Sequence, residues 1–168
     1  MVLKVFLDTE FTNFIDTGLI SIGLAAESGE VFYAEVPYEH AECSEFVKAA
    51  VLPLLDPASY GYSADELRIR LHSWLVMVRP SHGDLEICFD YQGDWDLFYD
   101  AMRDLMPSWC RPRRVGRNIN ELLRYEYHSK NNLPEHHALN DAVCVSGKNG
   151  YPGRIKYEFG STMVTQKT

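Results

Sequence analysis

Long apolar runs, paired cysteines and positive charge are all scarce in this 168-residue sequence. No uninterrupted apolar stretch approaches the roughly 20 residues of a membrane-spanning helix, so no span is expected. The first apolar run meets a charge at Asp8, too early for the hydrophobic region of a secretory leader. The four cysteines, Cys43, Cys88, Cys110 and Cys144, contain no C-x-x-C pair, which argues against a zinc knuckle. They are too sparse for a secreted disulfide scaffold and fit reduced thiols in a cytoplasm. Lys and Arg number 16 against 24 Asp and Glu, leaving a net charge of −8. A chain of that sign does not coat long nucleic acid by charge, although it can grip a few nucleotides. Internal repeats, low-complexity blocks and linkers are absent as well.

What is present suits one folded domain. Hydrophobic residues make up 46% and aromatics 12%, enough for a single core. "VLKVFLD" (2–8), "LISIGLAAES" (19–28) and "VFYAEV" (31–36) read as strands, and the Ser28-Gly29-Glu30 link predicts a hairpin between the last two. Residues 44–55 have helical apolar spacing that Pro53 interrupts. Ser63-Ala64-Asp65-Glu66 has the form of a capping box and predicts a helix running on through 67–78. "LEICFD" (85–90) reads as a fourth strand. A helix over 94–106 follows, then an arginine-rich loop "RPRRVGR", a helix over 119–129 and a last helix in "PEHHALNDAV", with Pro134 near its start. Residues 147–168, rich in Gly and polar side chains, read as a tail looser than the domain of 1–146. Three strands, helices, a strand and more helices predict an α/β or α+β fold with a helix-covered sheet.

Three acidic clusters punctuate this order. Asp8 and Glu10 stand two apart on the first strand, so both side chains point to one face, where they repel unless a cation lies between them. Oxygen ligands of that kind suit magnesium or manganese, whereas a lone D-x-E is more often a polar strand end. Asp90, Asp94 and Asp96 follow the fourth strand and open a helix, where capping alone would favour them. His136 precedes Asp141 by five residues in "HHALNDA", a pattern that also reads as a polar helix start before an apolar face.

Taken together, "LDTEF", a mid-chain Asp at a strand-to-helix junction and "HHALNDA" resemble the DEDDh 3′–5′ exonucleases, over residues 5–142. Within that family the start is most similar to a small stand-alone exoribonuclease branch. The resemblance implies a ribonuclease H-like α/β fold: a central mixed sheet, three antiparallel strands then parallel ones, flanked by helices. It implies two divalent ions, Mg²⁺ or Mn²⁺, held by Asp8, Glu10, Asp94 and Asp141, with Asp8 as the bridge. His136 would be the general base, with Glu10 sharing in catalysis, and a histidine's pKa near neutrality suits the first role. Asp90 and Asp96 are rivals of Asp94, because "DYQGD" departs from the family's usual residues there, and His137 is the rival of His136. The short run before "VCVSGKNG" departs from the family's long final helix. Phe11, Thr12, Phe14 and Trp95 are the candidate substrate contacts, and the aromatic ones could stack on terminal bases. Arg111, Arg113, Arg114 and Arg117 could steer a phosphate backbone, or form a solvated loop or dimer contact. The implied activity releases nucleoside monophosphates from single-stranded RNA 3′ ends or overhangs, with a homodimer as the working unit. A DNA-directed proofreading exonuclease is the alternative, and a non-catalytic nucleic-acid-binding module a remoter one.

Asp16-Thr17-Gly18 matches the catalytic triplet of aspartic proteases. It also explains itself as a turn between the first two strands, and the protease reading leaves "LDTEF" and "HHALNDA" without a role.

Overall fold

Alternation sets the first strand. In β1 (Val2–Phe11), Val5, Leu7 and Thr9 are buried on one face, and Lys4, Phe6, Asp8 and Glu10 occupy the other. β2 (Leu19–Ala26) pairs antiparallel with β1, and β3 (Val31–Glu35) antiparallel with β2. Gly29, at φ 113, supplies the left-handed residue of the hairpin between β2 and β3. β4 (Asp84–Phe89) joins the other side of β1 in parallel, and β5 (Cys110–Arg114) lies parallel beyond it. The order across the sheet is β3-β2-β1-β4-β5. This is the mixed sheet expected, three antiparallel strands followed by parallel ones. The computed structural model describes residues 1–115 and 121–146; Arg117, the first residues of the helix expected over 119–129, and the tail 147–168 lie outside them.

One face of the sheet carries the main core. α3 (Ala64–Val78) begins with the capping box, Ser63 Oγ accepting from the Glu66 amide and Glu66 reaching back to the Ser63 amide. Its Leu71, Trp74 and Leu75 pack with Val5, Leu7, Ile22 and Ile87 of the sheet and Phe98 of α4 (Gln92–Met102). Full burial of each such side chain contributes about 1.5–3 kcal/mol. α1 (Glu45–Ala50) closes a smaller cluster on Ile20 through Val47 and stops before Pro53, as the proline requires. The short α2 (Pro57–Tyr60) runs beside β3. The opposite face of β1 and β2 is covered by α6 (Ala138–Val145), which packs in turn on α5 (Glu121–Asn131). β2 is therefore buried on both faces, as its apolar run from Ile20 demands. No helix among the described residues is long and apolar enough to cross a membrane.

Two expectations need correction. α4 ends at Met102, not 106, because Arg103 turns to φ 45 and a short 3₁₀ turn follows. The arginine-rich segment, expected as a loop, forms β5 up to Arg114. Pro112 is tolerated because β5 is an edge strand, where a missing N–H costs little. Arg111 Nε lies 2.7 Å from Asp84 Oδ2, and Arg113 Nη1 2.7 Å from Glu86 Oε2, so two arginines are tied to β4.

Candidate metal centre

Asp8 and Glu10 reach one face of β1 just where the strand leaves the middle of the sheet. Opposite Asp8, across the antiparallel ladder, stands Gly23. A Cβ at Gly23 would come within 2.4 Å of the Ala138 and Leu139 backbone. The missing side chain is what lets the first turn of α6 lie directly on β2, and that contact carries Asp141 to the acids of β1. Asp8, Glu10 and Asp141 each offer a carboxylate oxygen, all within 4.8 Å of one another.

A second group is built from the junction of β4 and α4. Asp8, Asp90 and Asp94 also offer oxygens mutually within 4.8 Å. Asp94 sits in the first turn of α4, where its charge is favoured by the helix dipole. It is fixed by the Thr9 hydroxyl, which donates to Asp94 Oδ1 at 2.7 Å in a buried bond. Thr9 points to the face opposite Asp8, so consecutive residues of β1 serve the same centre from its two sides. Of the three candidates for the third acid, Asp94 and Asp90 both reach Asp8. Asp96 does not; it is exposed and accepts from Gln92 Nε2 at 3.0 Å.

The electrostatics follow from the crowding. Burial raises the Asp8 pKa well above the ordinary carboxylate range, and Asp94, Asp141, Glu10 and Asp90 all push in the same direction. Burial pushes Asp94 up to about 7, against the lowering effect of the Thr9 hydrogen bond. Such a concentration of mutually repelling oxygens is offset by divalent cations, and two triads sharing Asp8 fit two of them. The donor set, all carboxylate, suits magnesium or manganese better than zinc or copper.

The two histidines before α6 part company. His136, at φ 59, turns the chain so that its ring meets the Phe46 ring edge-on at 4.9 Å. His137 stacks on Tyr33 at 4.5 Å, and burial lowers its pKa. His137 is thus packed between α6 and β3, whereas His136 stands on the loop ahead of Asp141. Neither belongs to the two acidic groups.

The predicted substrate contacts also separate. Phe11, Phe14 and Tyr91 form one cluster, with ring centroids 5.1 to 6.0 Å apart. Phe14 is 77% exposed and Tyr91 43%. Sequence reasoning missed Tyr91, although it follows Asp90 directly, as Phe11 follows Glu10. Trp95 instead packs on Phe89 and Phe98 against the core. Thr12 is buried and closes the turn between β1 and β2: its hydroxyl donates to Asp16 O and accepts from the Gly18 amide. That turn also accounts for Asp16-Thr17-Gly18, with Asp16 exposed. His128, on α5, was not foreseen either; its Nε2 lies 2.9 Å from Asp141 Oδ1.

No family model matches the chain, and no curated protein sequence matches it. Solved structures do. The nuclease domain of 3′hExo, a DEDDh family member, bound to rAMP, superposes with a TM-score of 0.54 at 11% identity, over 86% of this chain and 88% of that one. A full-length 3′-exonuclease superposes with a TM-score of 0.51 at 10% identity, over 86% of this chain and 78% of that one. By its strand order, its acidic centre and these superpositions, the chain has the fold of the DEDDh 3′-exonuclease nuclease domains.

Proposed function

We propose that the protein is a metal-dependent 3′–5′ exonuclease, acting on single-stranded RNA 3′ ends or overhangs and releasing nucleoside monophosphates. The observation that carries this reading is Asp8, whose carboxylate is common to two acidic triads. Glu10 and Asp141 would complete the holding of one divalent cation, and Asp90 and Asp94 that of the other. Two such ions supply an activated water and offset the charge that develops on the phosphate and the leaving 3′ oxygen. The protein's part is to hold the phosphodiester over Asp8, keep the acids ionised and take up a proton. His136, five residues before Asp141 and outside the packed stack of His137 on Tyr33, is the group we assign to proton uptake. Its left-handed backbone is the kind of local strain that functional sites retain.

Phe11, Phe14 and Tyr91 supply an apolar platform beside the acids, suited to the faces of unstacked bases. Such a platform accepts any base and favours single strands over duplex. The arginines of β5 contribute less to this reading, since Arg111 and Arg113 already hold acids of β4. The 3′ polarity is supported by the fold shared with 3′-exonuclease domains, one of them bound to rAMP. The same site would serve a DNA 3′ end if the 2′-hydroxyl makes no contact. The reading includes a homodimer, as the sequence resemblance implies, and a cytoplasmic setting, in keeping with sparse cysteines that form no C-x-x-C pair.

The test uses 5′-labelled RNA and DNA oligomers of one sequence, with Mg²⁺, Mn²⁺ or EDTA. A ladder shortening from the 3′ end only with metal, faster on RNA, is expected. Oligomers left intact with either metal would overturn the exonuclease reading, and a faster DNA ladder would replace RNA by DNA.

A further inference from the structure

We propose that His128 is a positioning residue for Asp141, holding that carboxylate in the orientation in which it meets a divalent cation together with Asp8 and Glu10. This rests on the metal reading above. His128 sits in the second half of α5, and Asp141 near the start of α6, where the two helices pack. Their side chains are 3% and 2% exposed, and Nε2 lies 2.9 Å from Oδ1. An imidazole so deeply buried is costly unless its nitrogens are used.

The tautomer follows from the neighbours. At 2.9 Å a bare Nε2 would set its lone pair against those of a carboxylate oxygen, a repulsive contact. A proton on Nε2 makes the same contact attractive. Nδ1 has no hydrogen-bond partner among the described residues, so nothing there competes for the proton. In the structure the ring N–H lies off the line to Oδ1, so the proposed bond requires a turn of the ring. Once made, that bond fixes one carboxylate oxygen and leaves the other presented in a defined direction. Outer partners of metal ligands act in this way. The second triad has a counterpart in the Thr9 hydroxyl on Asp94. One acid on each side of Asp8 is thus anchored by a donor from a different element: a strand for Asp94, a helix for Asp141.

The probe is Mn²⁺ alone, titrated into the full chain and followed by the resonance of the free ion. H128F keeps an aromatic ring of similar size but has no donor. It is expected to bind Mn²⁺ about ten- to a hundredfold more weakly than wild type. H128Q, with an amide donor, is expected to recover part of the loss. In EDTA the unfolding midpoint of H128F is read alongside, so that loss of metal binding is separated from loss of the buried contact to Asp141. A folded H128F that binds Mn²⁺ as tightly as wild type would overturn the proposal, whatever its EDTA midpoint. Should H128F fail to fold, ¹⁵N spectra of histidine-labelled wild type decide. A protonated Nε2 at His128 that shifts when Mg²⁺ is added supports the role, and an unprotonated Nε2 overturns it. Absence of Mn²⁺ binding by wild type would overturn the metal reading itself, and this assignment with it.

Discussion

At Asp8, burial and neighbouring carboxylates act in one direction: each makes the ionised form harder to sustain without a cation. Removing this side chain disconnects both triads, so D8N should lower kcat/KM by about three orders of magnitude or more, as expected when several kcal/mol of charge stabilisation are lost. Initial rates on a labelled oligomer measure it. The third acid is tested the same way. D94N should cost at least a hundredfold, whereas D96N should stay within about twofold, since Asp96 points to Gln92 and solvent. Equal losses for D94N and D96N would contradict the site as described. F14A and Y91A should act on KM more than on kcat. Stacking on one base is worth about 1–3 kcal/mol, which corresponds to roughly five- to a hundredfold in KM. At this scale the approach of Asp8 and Glu10 in "LDTEF" to Asp141 in "HHALNDA" was legible, because strand alternation and a short loop-to-helix step set their geometry locally. The choice among Asp90, Asp94 and Asp96 was not, because it depends on how the β4–α4 junction turns. Nor was His128, since nothing local links it to an acid 13 residues later.

Elements meet most tightly where α6 crosses β2. With Gly23 the helix rests on bare backbone, and its first turn reaches Asp8 and Glu10. G23A would force backbone apart by more than a side chain can absorb. The expected cost is about 1–3 kcal/mol of stability, with Mg²⁺-dependent activity falling further than stability, because Asp141 moves with α6. Chemical denaturation and initial rates on one preparation separate the two; full activity in a destabilised G23A would contradict this account of how Asp141 is placed. The capping box of α3 and the hairpin at Gly29 were readable in the sequence, each being a local device with its own residues. β5 was not. Its three exposed arginines and Pro112 hide any alternation, and only the partner strand, with Asp84 and Glu86, makes that segment extended. α6 was readable in type, although it begins at Ala138, four residues past Pro134, because the backbone of His136 is left-handed and delays the first helical turn.

For the whole molecule, the acidic centre couples folding to pH and, on the metal reading, to divalent cations. The Asp94 pKa is raised from its ordinary 3.8 to about 7, and that of Asp8 is raised as well. The folded state then binds more protons than the unfolded one up to about pH 7, so the stability these groups give is lost as pH rises through that value. His137, whose pKa is lowered by burial, works the other way below pH 6.5, where the unfolded chain takes up its proton first. From pH 6.5 to 8 the two acids outweigh the remaining opposite effect of His137, which is at most about half a proton there. In EDTA the unfolding midpoint should fall over that interval, and stabilisation by saturating Mg²⁺ should be larger at pH 8 than at pH 6.5. A midpoint in EDTA that rises from pH 6.5 to 8 would contradict the crowding of the centre. The sign of the total charge is a weak guide to the local field at the acidic centre. A net charge of −8 argues against coating long nucleic acid, but five of those acids stand together where cations would reverse the local field.

The sharing of Asp8 between two cation sites is tested most directly by anomalous diffraction from crystals of the protein soaked with Mn²⁺. The account predicts two peaks, one bounded by Asp8, Glu10 and Asp141 and the other by Asp8, Asp90 and Asp94. Peaks that leave Asp8 untouched, or no peak at these acids at saturating Mn²⁺, would contradict it.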